Sequence, residues 1–177
     1  MQPTPDISSE QLLQRAMRYC AKAERCGHDV GAWASRLGAS SQQIEQILQA
    51  LTEQNFLSDQ RYALAFAADK HRFESWGPHR IVAALKAKKI DESYIQEALA
   101  ALAPERVAET LRLLLQKRIK QLGDEAACPA ARQKLLAMAI RKGYGFQEVN
   151  SILQALLPAG RFEPTGLPEE PMDCNDG

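Results

Sequence analysis

Ile95-Gln96-Glu97-Ala98-Leu99 returns 54 residues later as Val149-Asn150-Ser151-Ile152-Leu153, and 51 residues earlier it stands as Ile44-Glu45-Gln46-Ile47-Leu48. The match lies in spacing rather than in letters. Each copy places apolar side chains at intervals of three and four, the signature of one helix face. The same offsets carry Ile90 onto Tyr144 and Ala39, and Ile81 onto Leu135 and Val30. A period of roughly fifty residues makes internal repetition the first reading of the chain.

Working outward, each block reads as three helices. The first block predicts helices over 11–24, 29–37 and 41–54. The second predicts them over 59–73, 78–88 and 92–102, and the third over 104–122, 129–142 and 146–157. The punctuation agrees. Gly38 and Gly143 fall where a helix would end in a left-handed cap, the conformation glycine adopts at least cost. Lys89 takes that place in the second block. Ser40 or Ser41, Asp91 and Gly145 open the third helices, and Ser58 and Asp59 open the helix at 59 as its caps. Pro78, Pro104 and Pro129 suit first-turn positions, where no N–H is needed.

The fold class is therefore all-α: three tandem three-helix repeats forming an elongated, curved rod. The expected divisions are a leader over 1–10, repeats over 11–57, 58–103 and 104–157, and an acidic, proline-containing flexible tail over 158–177. Composition supports helices. Of 177 residues, 27 are Ala, 21 Leu and 15 Gln, against 4 Val, 9 Ile and 4 Thr. Unbranched side chains lose little rotamer freedom in a helix, whereas branched ones favour strands.

Several function classes drop out. The longest apolar run, Tyr62 to Ala68, is seven residues, far short of the roughly 20 a membrane span needs. Met1–Asp6 has no basic start and no apolar segment behind it, so no signal peptide and a cytoplasmic location are expected. Cys20, Cys26, Cys128 and Cys174 are read as reduced thiols. With His28 they match no zinc spacing, so no metal is expected. No catalytic motif and no glycine-rich phosphate loop stands out. A cofactor-free protein that is not an enzyme is the reading.

Formal net charge is zero, with 22 basic and 22 acidic side chains, but the charges are segregated. Residues 61–90 hold seven Lys or Arg against Asp69 and Glu74, and residues 163–177 hold five acids and no base. A neutral protein can still turn a basic face to a polyanion or an acidic partner.

The junction of the first two blocks carries a resemblance. It reads Asn55-Phe56-Leu57-Ser58-Asp59-Gln60-Arg61-Tyr62-Ala63-Leu64-Ala65-Phe66, then Trp76-Gly77-Pro78-His79-Arg80-Ile81, Leu85 and Lys88-Lys89-Ile90, with Ile95 and Ala98-Leu99 beyond. This resembles the RecX family, regulators of the RecA recombinase. The likeness is strongest in block two, continues in Arg141-Lys142-Gly143-Tyr144, and is weaker in block one, where Arg25-Cys26-Gly27-His28 departs from the family pattern. It implies a non-catalytic monomer of three three-helix repeats that lodges in the groove of the RecA filament on single-stranded DNA. There it would restrain filament growth, ATP hydrolysis, strand exchange and co-protease activity. Direct contact with DNA would be weak at most.

The residues expected to meet that partner are Arg61, Lys70, Arg72, Arg80, Lys86, Lys88, Lys89, Arg141 and Lys142. Each also has a plainer reading. Lys86, Lys88, Lys89, Arg141 and Lys142 end helices, where cations are favoured without any partner, and Arg61 sits in a capped first turn. Phe56, Tyr62, Phe66, Phe73 and Trp76 could stack on bases, but their helical spacing assigns them to the core, as it does Trp33. Two rival functions stay open. One is a DNA-binding helical-repeat protein whose reader is the helix at 78–88, although that helix lacks Asn and Gln for base edges. The other is a helical-repeat adaptor for protein partners.

Overall fold

The computed structural model describes residues 8–157. Within them nine α-helices follow one another without a strand. The first unit is α1 (Ser9–Ala21), α2 (Gly27–Arg36) and α3 (Ser41–Glu53). The second is α4 (Asp59–Glu74), α5 (Pro78–Ala87) and α6 (Glu92–Ala100). The third is α7 (Pro104–Leu122), a 3-10 segment (Gly123–Ala127), α8 (Pro129–Lys142) and α9 (Phe146–Leu156). The acidic stretch over 158–177, and all of the leader but residues 8–10, lie outside the described residues.

Each unit buries its own core. Leu12, Ala16, Val30, Ile47 and Leu51 fill the first. Tyr62, Ala63, Ile81, Leu85 and Ile95 fill the second. Leu111, Leu135, Tyr144, Val149 and Leu153 fill the third. The three middle-helix residues placed in register by sequence, Val30, Ile81 and Leu135, are all at most 1% exposed. Units that pack mainly within themselves string into a rod rather than a ball.

The turn after each middle helix shows the repeat most plainly. Gly38, Lys89 and Gly143 have φ of +89°, +59° and +95°. In each case the next N–H reaches back to the same helical carbonyl: Ala39 to Ala34, Ile90 to Leu85 and Tyr144 to Ala139. That closure satisfies carbonyls the helix end would otherwise orphan. Lys89 adopts a conformation that glycine adopts freely and an L side chain does not. The third helices start as read. Ser40 and Gln43 form a reciprocal capping box, and the Asp91 carboxylate accepts from the Ser93 N–H, whereas Gly145 caps with no side chain.

Three expectations change. Phe73 is not core; it is 71% exposed. The buried residues of α4 are Tyr62, Ala63, Ala67 and His71; Phe73 shares the side of Tyr62 and Phe66 but stands on the helix's last turn. Phe56, Phe66 and Trp76 are half-buried at the margin. Trp33 is half-buried as well, stacked on Tyr19 at 5.0 Å between centroids. Finally, Ser58 alone caps α4 by accepting from the Arg61 N–H. The Asp59 carboxylate instead accepts from the Gly27 N–H at 2.8 Å. It therefore caps α2, a helix of the preceding unit whose own N-cap, Cys26, supplies no side-chain bond.

Candidate functional site

The functional surface follows from how the units are joined. Between the first and second, side chains make the join. Besides the Asp59 cap, Lys88 Nζ donates to both Asp29 oxygens at 2.8 and 2.6 Å. Arg61 donates to Glu24 at 3.1 Å and to the Asn55 carbonyl at 3.0 Å. Cys26, from the first unit, is fully buried in the second unit's core. That burial pushes its thiol up to about 11, so it is no thiolate at neutral pH. Burial also works against a charged Asp29, but the Lys88 bond and charge prevail and hold its carboxyl below the usual range.

Between the second and third units, backbone meets backbone. The Gly77 N–H donates to the Lys142 carbonyl at 2.7 Å and the His79 N–H to the Gly143 carbonyl at 3.0 Å. The approach is so close that a Cβ on Gly77 would lie 2.4 Å from the Gly143 oxygen. Around it, Lys142 Nζ donates to the Glu74 carbonyl at 2.7 Å, and the Tyr144 hydroxyl donates to the Ser75 carbonyl at 3.3 Å. His71, buried at 7% exposure, places Nδ1 3.0 Å from the Trp76 carbonyl and Nε2 3.0 Å from Thr110 Oγ1 in α7.

This second join gathers three of the nine expected site residues. The Arg80 guanidinium lies 3.9 Å from the centroid of the Trp76 ring, and Lys70 Nζ 5.0 Å from it. The Lys70 bond holds the Glu74 carboxyl below its ordinary range, and the charges of Arg80 and Lys142 add to the effect. Lys70, Arg80 and Lys142 thus converge from two units on one carboxylate and one indole. Such a site can recognise an anionic or carboxylate-bearing surface through clustered positive charge and a flat aromatic.

The other six are dispersed. Arg61 and Lys88 are engaged in the first join. Lys86 answers Glu92 at 2.9 Å. Arg72 covers the Phe73 ring at 5.1 Å. Lys89 is exposed beside Lys88 on a shallow groove of about 430 Å³ that His28 and Asp59 also line. Arg141, exposed on the last turn of α8, makes no ion pair among the described residues. His71 was missed as a joint because it stood inside the basic run 70–72. Its signal was the spacing of four and eight from Ala67 and Ala63, which turns it inward. Among the described residues no cluster of His, Cys, Asp and Glu could hold a metal, and no helix is long and apolar enough to cross a membrane.

Three-helix units strung in series through tight turns define a helical-repeat protein, and known proteins share the design. Residues 58–99 match RecX, second three-helix domain. The regulatory protein RecX of Halalkalibacterium halodurans is 29% identical over 151 residues, covering 78% of this chain and 56% of that protein. The regulatory protein RecX of Herminiimonas arsenicoxydans is 26% identical over 144 residues, covering 81% and 91%. The chain thus spans little more than half of the first relative and nearly all of the second. The crystal structure of RecX from Lactobacillus salivarius superposes with a TM-score of 0.74 at 20% identity, covering 84% of this chain and 96% of that one. The chain is thus similar to RecX regulatory proteins in sequence along most of its length, and to solved RecX structures in fold.

Proposed function

We propose that the protein regulates RecA by binding its filament on single-stranded DNA and restraining filament growth and the activities that depend on it. It acts as a cytoplasmic monomer and performs no chemistry of its own. The observation that carries this reading is the convergence of Lys70, Arg80 and Lys142 at the join of the second and third units. Lys89 and Arg141 are further cations with no ion pair among the described residues, and Arg72 extends the basic surface along α4. Three units in series also match a partner built of repeated subunits. Once one unit binds, its neighbours act at high effective concentration.

The test is fluorescence anisotropy of the labelled protein against three probes at one salt concentration: RecA filament on single-stranded DNA, RecA alone, and naked single-stranded DNA. Filament binding at least tenfold tighter than naked-DNA binding is expected. The combined variant Arg80→Glu, Lys86→Glu, Lys89→Glu should weaken it with helicity unchanged and only a small drop in melting, since Lys86 loses its exposed pair with Glu92 and Arg80 its place on the Trp76 ring. Equal affinity for naked DNA, with a steep loss as salt rises, would instead mark a DNA-binding protein.

A further inference from the structure

The second unit has a face unlike its basic surroundings. Along α4, between its outer side and the end of α1, runs a groove of about 330 Å³. Its floor is apolar: Tyr62, Ala65 and Phe66, with Phe73 standing 71% exposed at one end. Its rim is acidic: Glu24, Asp69 and Glu74 against Lys70 alone. Glu24 is occupied by Arg61 and Glu74 by Lys70. Asp69 is exposed and makes no ion pair among the described residues.

Single exposed apolar side chains are ordinary on protein surfaces. Here one large aromatic ring continues a concave apolar floor, and within a segment carrying five net positive charges both acids of that segment lie on the groove's rim. With Glu24 and Glu74 already paired, Asp69 is the rim charge left to meet a partner, and it favours a cation over a phosphate. An amphipathic helix is favoured if it seats a bulky apolar side chain against Phe66 and Phe73 and carries Lys or Arg one turn away to meet Asp69.

We propose that this groove docks a basic amphipathic helix of the RecA subunit. This rests on the RecA reading above and assigns the protein-to-protein part of the contact to the α4 groove, leaving the cationic join to the filament's anionic groups. The contact would bury the Phe73 ring, which in the free protein is covered on one face by the Arg72 guanidinium.

The variants Phe73→Ala and Asp69→Lys test it. Neither residue supports the fold, so melting should match the wild type. Each variant should bind RecA filament about tenfold more weakly, the loss expected from leaving one large apolar contact or one charge pair unmade. Naked-DNA affinity should not fall for either. Carbodiimide coupling of the wild type to RecA should link Asp69 to a RecA lysine, and the link should vanish in Asp69→Asn. Filament affinity within twofold of wild type in both variants, or a matching loss on naked DNA, would overturn the groove assignment while leaving the RecA reading in place. A wild-type protein that does not bind the filament would remove that reading first, and the groove assignment with it.

Discussion

The two joins of this chain hold neighbouring units by different physics. The first is mainly polar and made by side chains: Asp59 on the Gly27 amide, Lys88 on Asp29, Arg61 on Glu24, with Cys26 set into the second unit's core. The second is steric and made by the chain itself, with Gly77 and Gly143 in backbone contact and His71 bonded across to α7. Side-chain contacts tolerate replacement and respond to salt and pH. Backbone contacts tolerate neither a Cβ nor a shift in register. The first join therefore acts as the adjustable one and the second as the fixed one, and the fixed join carries the converging cations.

The largest expected effect comes from closing the space in the fixed join. In Gly143→Ala the new Cβ would lie 2.5 Å from Arg80 Cβ and N, at φ +95°. A loss of about 2–4 kcal/mol is expected from clash plus left-handed strain. Gly123→Ala isolates backbone strain: nothing lies within 4 Å of the added atom, but at φ +57° and ψ −132° the backbone is one that L side chains avoid, so about 1–3 kcal/mol is expected from strain alone. Urea unfolding measures both, and a loss for Gly143→Ala of only about 1 kcal/mol, the cost of left-handed strain alone, would mean the join is not sterically fixed.

Next is His71→Ala. It leaves the Trp76 carbonyl without its buried partner and removes the bond across to Thr110, whose hydroxyl keeps the Arg106 carbonyl, at a cost of about 1–3 kcal/mol. Amide exchange should accelerate over residues 71–80 while the first unit stays protected. Uniform acceleration would show that the units unfold as one.

Asp29→Asn probes the adjustable join. The pair is about a quarter exposed on each side, so screening limits the loss to about 1 kcal/mol at neutral pH. Because Asp29 is held below its ordinary value near 3.8 when folded, its contribution is complete above that value. It disappears as the pH falls through the still lower folded value. Unfolding curves of wild type and variant should converge in acid and diverge near neutrality. A difference independent of pH would place the effect elsewhere.

The smallest effect has the opposite sign. Lys89→Gly relieves left-handed strain at φ +59°, which Gly's greater unfolded freedom partly offsets, for a gain of a few tenths of a kcal/mol. A clear loss would show that the exposed Lys89 side chain contributes to the fold.

Much of the architecture was legible because it is local. Caps, turn glycines and spacings of three and four are properties of short segments, so Ser40, Gly38, Gly143 and the core triplet Val30, Ile81 and Leu135 could be placed from sequence. What was not legible is what distant segments do to each other. Asp29 and Lys88 are 59 residues apart, Glu74 and Lys142 are 68, and no pattern in either segment announces the other. Asp59 misled for the same reason: its type and position suit its own helix, yet it serves another. Phe73 misled because seven-residue spacing from Phe66 keeps a side chain on one face without saying that the face is buried. Basic residues could be counted in sequence, but only packing shows that Lys88 and Arg61 hold units together while Lys70, Arg80 and Lys142 converge.

The most direct test of the account is ATP hydrolysis by the cognate RecA on single-stranded DNA, titrated with this protein. The account predicts that hydrolysis falls at protein concentrations well below that of RecA, because restraint of a growing filament needs few copies. Hydrolysis unchanged up to equimolar protein, on filaments shown to bind it, would contradict the account.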